Sequence, residues 1–329
     1  MRTLSIIVLL VTTLTSCFEE DEMVAPHEQG NVEEGQAALG PGYEHQVFFD
    51  LYRNMEATSN LVSDWDLSFE SSSGDWLIRL NSSKFMYAGN SFDTTFQIEL
   101  NRSELDMRFD KSDGNPDSTA FSRWFLTDDE SAWSKREVYL IDRGFDHLDK
   151  PVGLMKVQFG IDGEDYRIRY ATLENSGDTS FLISRDPELD RIYFSFEHGV
   201  VDIAPGPSSW SLLFSKYTTM LLTDDGENYP YLVMGALLNP NGVTATLDTE
   251  HSFLDMELAD TIDLEFSNRS DMIGYEWKYY NFDAALYTIE PDMFYVIRDR
   301  DGFYYKLRFS DFYSDEGEKG FPKFEYVRL

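Results

Sequence analysis

Trp65-Asp66-Leu67-Ser68-Phe69 recurs 145 residues later as Trp210-Ser211-Leu212-Leu213-Phe214. Val47-Phe48-Phe49-Asp50-Leu51 recurs as Ile192-Tyr193-Phe194-Ser195-Phe196 at the same offset. Met155-Lys156-Val157-Gln158-Phe159 parallels Tyr305-Lys306-Leu307-Arg308-Phe309 at 150 residues, a drift that loop insertions produce. Three recurrences in order at nearly one offset are the mark of an internal duplication. They predict two halves, 43–186 and 187–329, built either as two β domains or as the two sides of one. Trp65 and Trp210 are then expected to be equivalent core anchors.

The recurring runs are short and rich in aromatic and branched residues, and Tyr166-Arg167-Ile168-Arg169-Tyr170 alternates as a half-buried strand does. Clusters such as Lys111-Ser112-Asp113-Gly114-Asn115-Pro116 separate them. Met293 to Phe309 reads as a hairpin turning at Asp299-Arg300-Asp301-Gly302, since an Asp-Gly pair suits positive φ. Helical signal is confined to Leu254–Ile262. The expected fold is mainly β, in antiparallel sheets with little helix. With 329 residues, 42% hydrophobic and 15% aromatic, there is ample material for a core.

The formal charge of −33 repels nucleic acid and anionic lipid headgroups, and no basic patch stands against that field. It fits either capture of a cationic ligand or a solvated acidic surface. Enzyme signatures are absent: no Gly-x-Ser-x-Gly elbow, no His-Glu-x-x-His, no phosphate loop and no dinucleotide fingerprint. The five histidines are scattered, none with a second at ligand spacing.

Cys17 is the only cysteine. Met1-Arg2 supplies a cationic start, Leu4 to Val11 is apolar except for Ser5, and Leu14-Thr15-Ser16 places small residues ahead of the thiol. The apolar core is far short of the about 20 residues that span a bilayer as a helix. Leu14-Thr15-Ser16-Cys17 resembles the lipobox cut by signal peptidase II, which assigns 1–16 to the signal and a lipid to Cys17. Losing residues 1–16 removes Arg2 and no acid, so −33 becomes −34. No thiol would then remain for a disulfide or a metal site. Phe18-Glu19-Glu20-Asp21-Glu22 resembles the acidic signal that sends Bacteroidetes lipoproteins to the cell surface. Residues 17–42 hold seven acids and no Lys or Arg, with glycines between them, and are expected to form a flexible tether.

A second set of motifs lies in the last 140 residues. Trp210-Ser211-Leu212-Leu213-Phe214-Ser215-Lys216-Tyr217-Thr218-Thr219 is followed by Gly235-Ala236-Leu237-Leu238-Asn239-Pro240-Asn241-Gly242-Val243. Then come Ile273-Gly274-Tyr275-Glu276-Trp277-Lys278, Gly302-Phe303-Tyr304-Tyr305-Lys306-Leu307-Arg308-Phe309 and Gly317-Glu318-Lys319-Gly320-Phe321-Pro322-Lys323-Phe324-Glu325-Tyr326. This ordered set resembles the HmuY family of Bacteroidetes lipoproteins, clearest in 190–329. The resemblance implies an antiparallel β fold with no enzymatic activity, exposed on the outer membrane. It also implies haem capture and delivery to an outer-membrane haem receptor. Family haem binders use paired histidines or paired methionines as axial ligands. One ligand lies in a variable loop near 243–256, where this chain has His251 and Met256; Met272 and Met293 follow further along. The alternative within the same resemblance is a HmuY-like β scaffold without haem binding, serving as a surface accessory for protein or glycan.

If Cys17 is the lipid attachment site, Cys17→Ala will abolish labelling by a fatty-acid analogue and release the protein from membranes. Labelling that survives the substitution refutes the assignment.

Overall fold

The computed structural model describes residues 29–71, 75–128, 131–222 and 225–329. Eleven strands come first. They are β1 (Val32–Gln36), β2 (His45–Asp50), β3 (Met55–Leu61), β4 (Leu67–Glu70), β5 (Ile78–Leu80) and β6 (Tyr87–Asn90). β7 (Phe125–Thr127), β8 (Ala132–Ser134), β9 (Val138–Asp142), β10 (Leu154–Asp162) and β11 (Asp165–Ala171) complete the run. Eleven more follow, opening with β12 (Thr179–Ile183), β13 (Arg191–Ser195), β14 (Gly199–Val201), β15 (Leu212–Leu222), β16 (Asn228–Leu238) and β17 (Thr244–Asp248). The last are β18 (Lys278–Asn281), β19 (Leu286–Ile289), β20 (Phe294–Arg298), β21 (Tyr304–Tyr313) and β22 (Lys319–Arg328). All their pairings are antiparallel, and the helical content among the described residues is short 3₁₀ turns, one of them at Leu258–Asp263.

The sheets repeat under a shift of eleven strands. One four-stranded sheet runs β3-β2-β15-β16 and the other β14-β13-β4-β5. One five-stranded sheet runs β1-β22-β21-β20-β17 and the other β12-β11-β10-β9-β6, while β7-β8 and β18-β19 are matching two-stranded ribbons. Register repeats as well. Val47 faces Phe214 and Phe49 faces Leu212; 145 residues away, Ile192 faces Phe69 and Phe194 faces Leu67.

The division between the two bodies differs from the expected break at 186/187. β12, β13 and β14 pair with β11 and β4, so the inner lobe is continuous from β4 to β14 around a core of Leu67, Phe69, Trp124, Phe159 and Phe194. The outer lobe joins β15–β22 to β1, β2 and β3 from the start of the chain, around Val47, Phe49, Phe214, Trp277, Phe309 and Phe324. A strand's apolar pattern says which face it buries, and not which of two equivalent partners it takes.

Within the expected tether, 17–42, the residues from 32 onward are built into the outer lobe. β1 pairs along β22, with Val32 opposite Val327 and Gly35 opposite Phe324, and Ala37 and Leu39 enter the outer core. A Cβ on Gly35 would lie 2.4 Å from the Phe324 ring, so glycine is what lets that ring cover the edge strand. Cys17 and the signal lie outside the described residues.

Trp65 and Trp210 occupy equivalent places, yet they are half-buried between the lobes instead of anchoring the cores. Trp65 meets Tyr193 edge-on at 5.0 Å, and Trp210 meets Phe48 edge-on at 5.1 Å. The fully buried indoles are Trp124 and Trp277, each 1% exposed, with Trp76 buried beside Trp124. Behind each half-buried tryptophan stands a buried asparagine. Asn81 Nδ2 donates to the carbonyls of Val62 and Trp65 at 2.8 and 2.9 Å, and Asn239 Nδ2 to those of Pro207 and Trp210 at the same distances.

One position breaks the likeness. Leu51 N–H donates to Ser211 Oγ at 3.3 Å, and the equivalent Phe196 N–H donates to Asp66 Oδ2 at 2.9 Å. Asp66 has no solvent exposure and takes Lys84 Nζ at 2.5 Å and Arg143 Nη2 at 2.9 Å; Arg143 reaches on to Glu197 at 2.6 Å. Breaking a buried pair by removing one partner strands the remaining charges and costs about 3–5 kcal/mol. Asp66→Ala will therefore lower stability in urea by about that amount. A loss under ~1 kcal/mol, the range of exposed pairs, would show that the network carries little.

Lys278 in β18 is the second buried charge of note. Its Nζ donates to the Met234 carbonyl at 2.6 Å and lies over the Trp277 ring at 4.1 Å and the Phe312 ring at 4.9 Å, with no carboxylate among its partners. Burial pulls its amine down to about 7. Below that pH the ammonium is present folded and unfolded alike, and burial opposes folding. Between about 7 and the ordinary lysine value the unfolded chain holds a proton that the folded one has released, so stability rises with pH. Relative to Lys278→Met, the parent protein will gain about 1–3 kcal/mol between pH 7 and 9.5 in denaturant melts. Parallel profiles for the two proteins would contradict this.

Candidate functional site

On the outer lobe the chain from Arg269 to Glu276 lies across β16. Ala236 and Gly274 exchange backbone hydrogen bonds at 2.9 and 3.0 Å. A Cβ on Gly235 would come 2.2 Å from the Gly274 carbonyl oxygen, and Gly274 itself has φ +63°. Two glycines therefore permit a contact that larger residues would block. Trp277 closes the segment from below. Its Nε1 donates to the Gly274 carbonyl at 3.1 Å, and its ring stacks on Phe309 at 3.8 Å.

This segment and the start of β20 form a hollow of about 280 Å³ whose lining includes Met220, Met272, Met293, Tyr217, Tyr275 and Tyr295. Tyr295 Oη lies 3.0 Å from the Ile273 carbonyl and 3.2 Å from Met293 Sδ, an arrangement that holds the Met293 side chain against the wall. Burial, with Asp271 nearby, pushes the Tyr217 hydroxyl well above its ordinary value; burial and Glu276 do the same for Tyr295 and raise Tyr275. These phenols are neutral hydrogen-bond donors across the physiological range.

An adjoining hollow of about 310 Å³ shares Thr219, Met220, Arg269 and Asp271 and extends to Phe109 and Lys111 of the inner lobe. The lobes are tied here. Ser112 Oγ donates to Asp271 Oδ2 at 2.7 Å and Ser270 N–H to the Asp113 carbonyl at 3.1 Å, and within the outer lobe Arg269 Nε donates to Asp271 at 3.0 Å. Three thioethers thus face a cleft with phenols around them, and Lys111 and Arg269 stand at one end beside Asp113 and Asp271, the latter paired with Arg269. Thioethers are soft, polarisable donors that carry no proton to lose.

Of the residues singled out in the sequence, Met272 and Met293 come together in this cleft. His251 and Met256 do not line it. Met256 is fully buried in a satellite cluster with Phe253, Phe294, Val296 and Leu329. Its carbonyl accepts from Lys306 Nζ and Gln29 Nε2, each at 2.8 Å, which fixes the loop. His251 Nδ1 meets Asp248 Oδ2 at 2.9 Å, and its Nε2 lies 4.0 Å from Asp260. The hydrogen bond to Asp248 raises the imidazole above its ordinary value. Met220, Tyr217 and Tyr295 complete the cleft without having been marked by any motif of their own. Tyr217 stood inside the Trp210–Thr219 run, and Met220 is its next residue.

Among the described residues no group of three or more His, Cys, Asp and Glu side chains is arranged to hold a metal ion. No helix among them is long and apolar enough to cross a membrane.

No curated protein matches the chain. Solved structures similar to it include apo PinO from Porphyromonas gingivitis, at 9% identity over 91% of this chain and 98% of that one, with a TM-score of 0.30. Another is the apo HmuY analog of Tannerella forsythia, at 10% identity over 92% and 99%, with a TM-score of 0.24. A third is a HmuY-like haem-binding protein of Bacteroides vulgatus, described there as putative, at 14% identity over 52% and 90%, with a TM-score of 0.19. The sequence profile described as HmuY protein matches residues 42–326. The chain belongs to the HmuY family, which is a non-enzymatic family.

Proposed function

We propose that this protein is a surface lipoprotein, anchored through Cys17, that captures haem in the methionine cleft and passes it to an outer-membrane receptor. The observation that carries the reading is that Met272 and Met293, distant in sequence, line one hollow together with Met220. Haem iron accepts thioether ligands, and a soft sulfur favours the ferrous state. Tyr217, Tyr275 and Tyr295 supply aromatic walls for a planar ring. The adjoining hollow brings Lys111 and Arg269 within reach of anionic propionates. Each hollow approaches or reaches the lower end of the about 300–1,000 Å³ usual for small-molecule sites. Against these local cations stands the −33 of the whole chain, which slows the encounter with an anionic ligand and leaves the seated complex less affected.

Titrating haemin into the purified protein, with and without dithionite, should shift the Soret band, more tightly in the reduced state. Met272→Ala and Met293→Ala should each weaken binding by about tenfold or more, as loss of an axial ligand does. His251→Ala should leave it unchanged. Absence of any spectral change at micromolar haemin in both redox states would exclude haem capture and favour the scaffold without haem, acting on protein or glycan. Undiminished binding in both methionine variants would place the cargo elsewhere.

A further inference from the structure

The faces that the two four-stranded sheets turn to each other differ in charge. In the inner sheet Leu67, Phe69, Ile78, Leu80, Ile192 and Phe194 point into the core. Strand alternation leaves Ser68, Arg79, Arg191 and Tyr193 on the opposite face. Ser68 stands opposite both Arg79 and Tyr193, and Arg191 stands opposite Glu70. The outer lobe meets them with Gln46, Leu213, Ser215 and Leu237, which carry no charge, across a cleft of about 110 Å³ that Lys111 and Asp110 also border.

Most charges there are matched. Arg79 Nη1 pairs with Glu70 at 3.0 Å, and the Asp110 oxygens accept Leu80 N–H at 2.8 Å and Ala120 N–H at 2.7 Å. Arg191 is different. Its side chain bonds the Tyr193 hydroxyl and its charge acts on the buried Asp110, but it forms no ion pair within 4.0 Å among the described residues and its Nε is buried with no acceptor. Burial and the neighbouring Arg191 charge also hold the Arg79 guanidinium below its ordinary value. An unsatisfied buried donor is costly and calls for a water or an ion. A guanidinium beside hydroxyls is the usual recognition chemistry of a tetrahedral oxyanion. At ~30 Å³ per water the space holds about four waters, which suits such an anion and is too small to enclose a haem.

We propose that this cleft between the sheets binds a small tetrahedral oxyanion, phosphate or sulfate, through Arg191, with Lys111 and the hydroxyls of Ser68, Ser83 and Ser215 completing the site. Because Ser215 belongs to the outer lobe and Arg191 to the inner sheet, the anion clamps the two lobes together. Lys111 also borders the proposed haem cleft, whereas Arg191 does not line it, so the Arg191 variant separates the two sites.

The test is calorimetric titration and thermal unfolding of the full chain in sodium phosphate or sulfate, against sodium chloride at equal ionic strength. Both anions also stabilise proteins in general by exclusion from their surface, an effect that does not saturate. The expected result is a saturable stabilisation that Arg191→Gln weakens by about tenfold and the more exposed Lys111→Gln by about threefold. Arg169→Gln, whose partner Asp178 lies on the surface, should leave it intact. A rise that never saturates, or one equal in all variants, overturns the proposal. Should Arg191→Gln fail to fold, unchanged phosphate affinity in Lys111→Gln overturns it as well.

Discussion

The structure hinges on how each lobe is closed by strands from a distant part of the chain, and Asp66 is where that closure is electrostatically fixed. Its carboxylate takes the Phe196 backbone N–H while holding Lys84 and Arg143. One side chain therefore joins β4 to the strand that returns beside it and to the turn and loop behind. The outer lobe closes the same way through the neutral hydroxyl of Ser211. A hydroxyl suffices for the backbone donor alone. The carboxylate is needed only because two cations were buried with it, so the inner closure is more specific in geometry and more exposed to loss of a single partner.

Much of the fold was legible because strand alternation and turn chemistry are local. The 293–309 hairpin turns where Asp299-Arg300-Asp301-Gly302 said it would, with Asp299 Oδ1 accepting the N–H groups of Asp301 and Phe303 and Gly302 at φ +88°. What was not legible is non-local. Val47 and Ile192 sit in runs of the same aromatic and branched type, and nothing local tells which copy of the next strand either will pair with. β1 escaped notice because Glu33 and Glu34 dominate it, while its hold on the outer lobe rests on Gly35 and on Ala37 and Leu39 just beyond. Trp65 and Trp210 looked like core residues because size and apolarity were all the sequence showed. Their asparagine partners place them at the seam.

The cleft follows the same division. Methionine is a common core filler, and residue type alone ranked His251 and Met256 no lower than Met272 and Met293. Packing separates them. Met256 is consumed by a satellite core under a loop that Lys306 and Gln29 tie down, and His251 is engaged by Asp248. Met272 and Met293 stay at a wall because Gly235 and Gly274 let the segment that carries Met272 lie flat on β16, and because Tyr295 holds Met293 beside it.

The placement of β1 to β3 has a consequence for the order in which the chain becomes structured as it is made. Residues 67–201 are a continuous unit and can assemble as soon as they emerge. The outer lobe cannot, since its first strands must wait, unpaired, until β15 and finally β22 arrive some 290 residues after β1. Contacts of such long sequence separation form late. The waiting edges, Phe48-Phe49 among them, are the segment most in need of protection from other chains until then. The acids of β1 and of the stretch before it supply part of that protection by keeping neighbouring copies apart until the last strand closes the sheet.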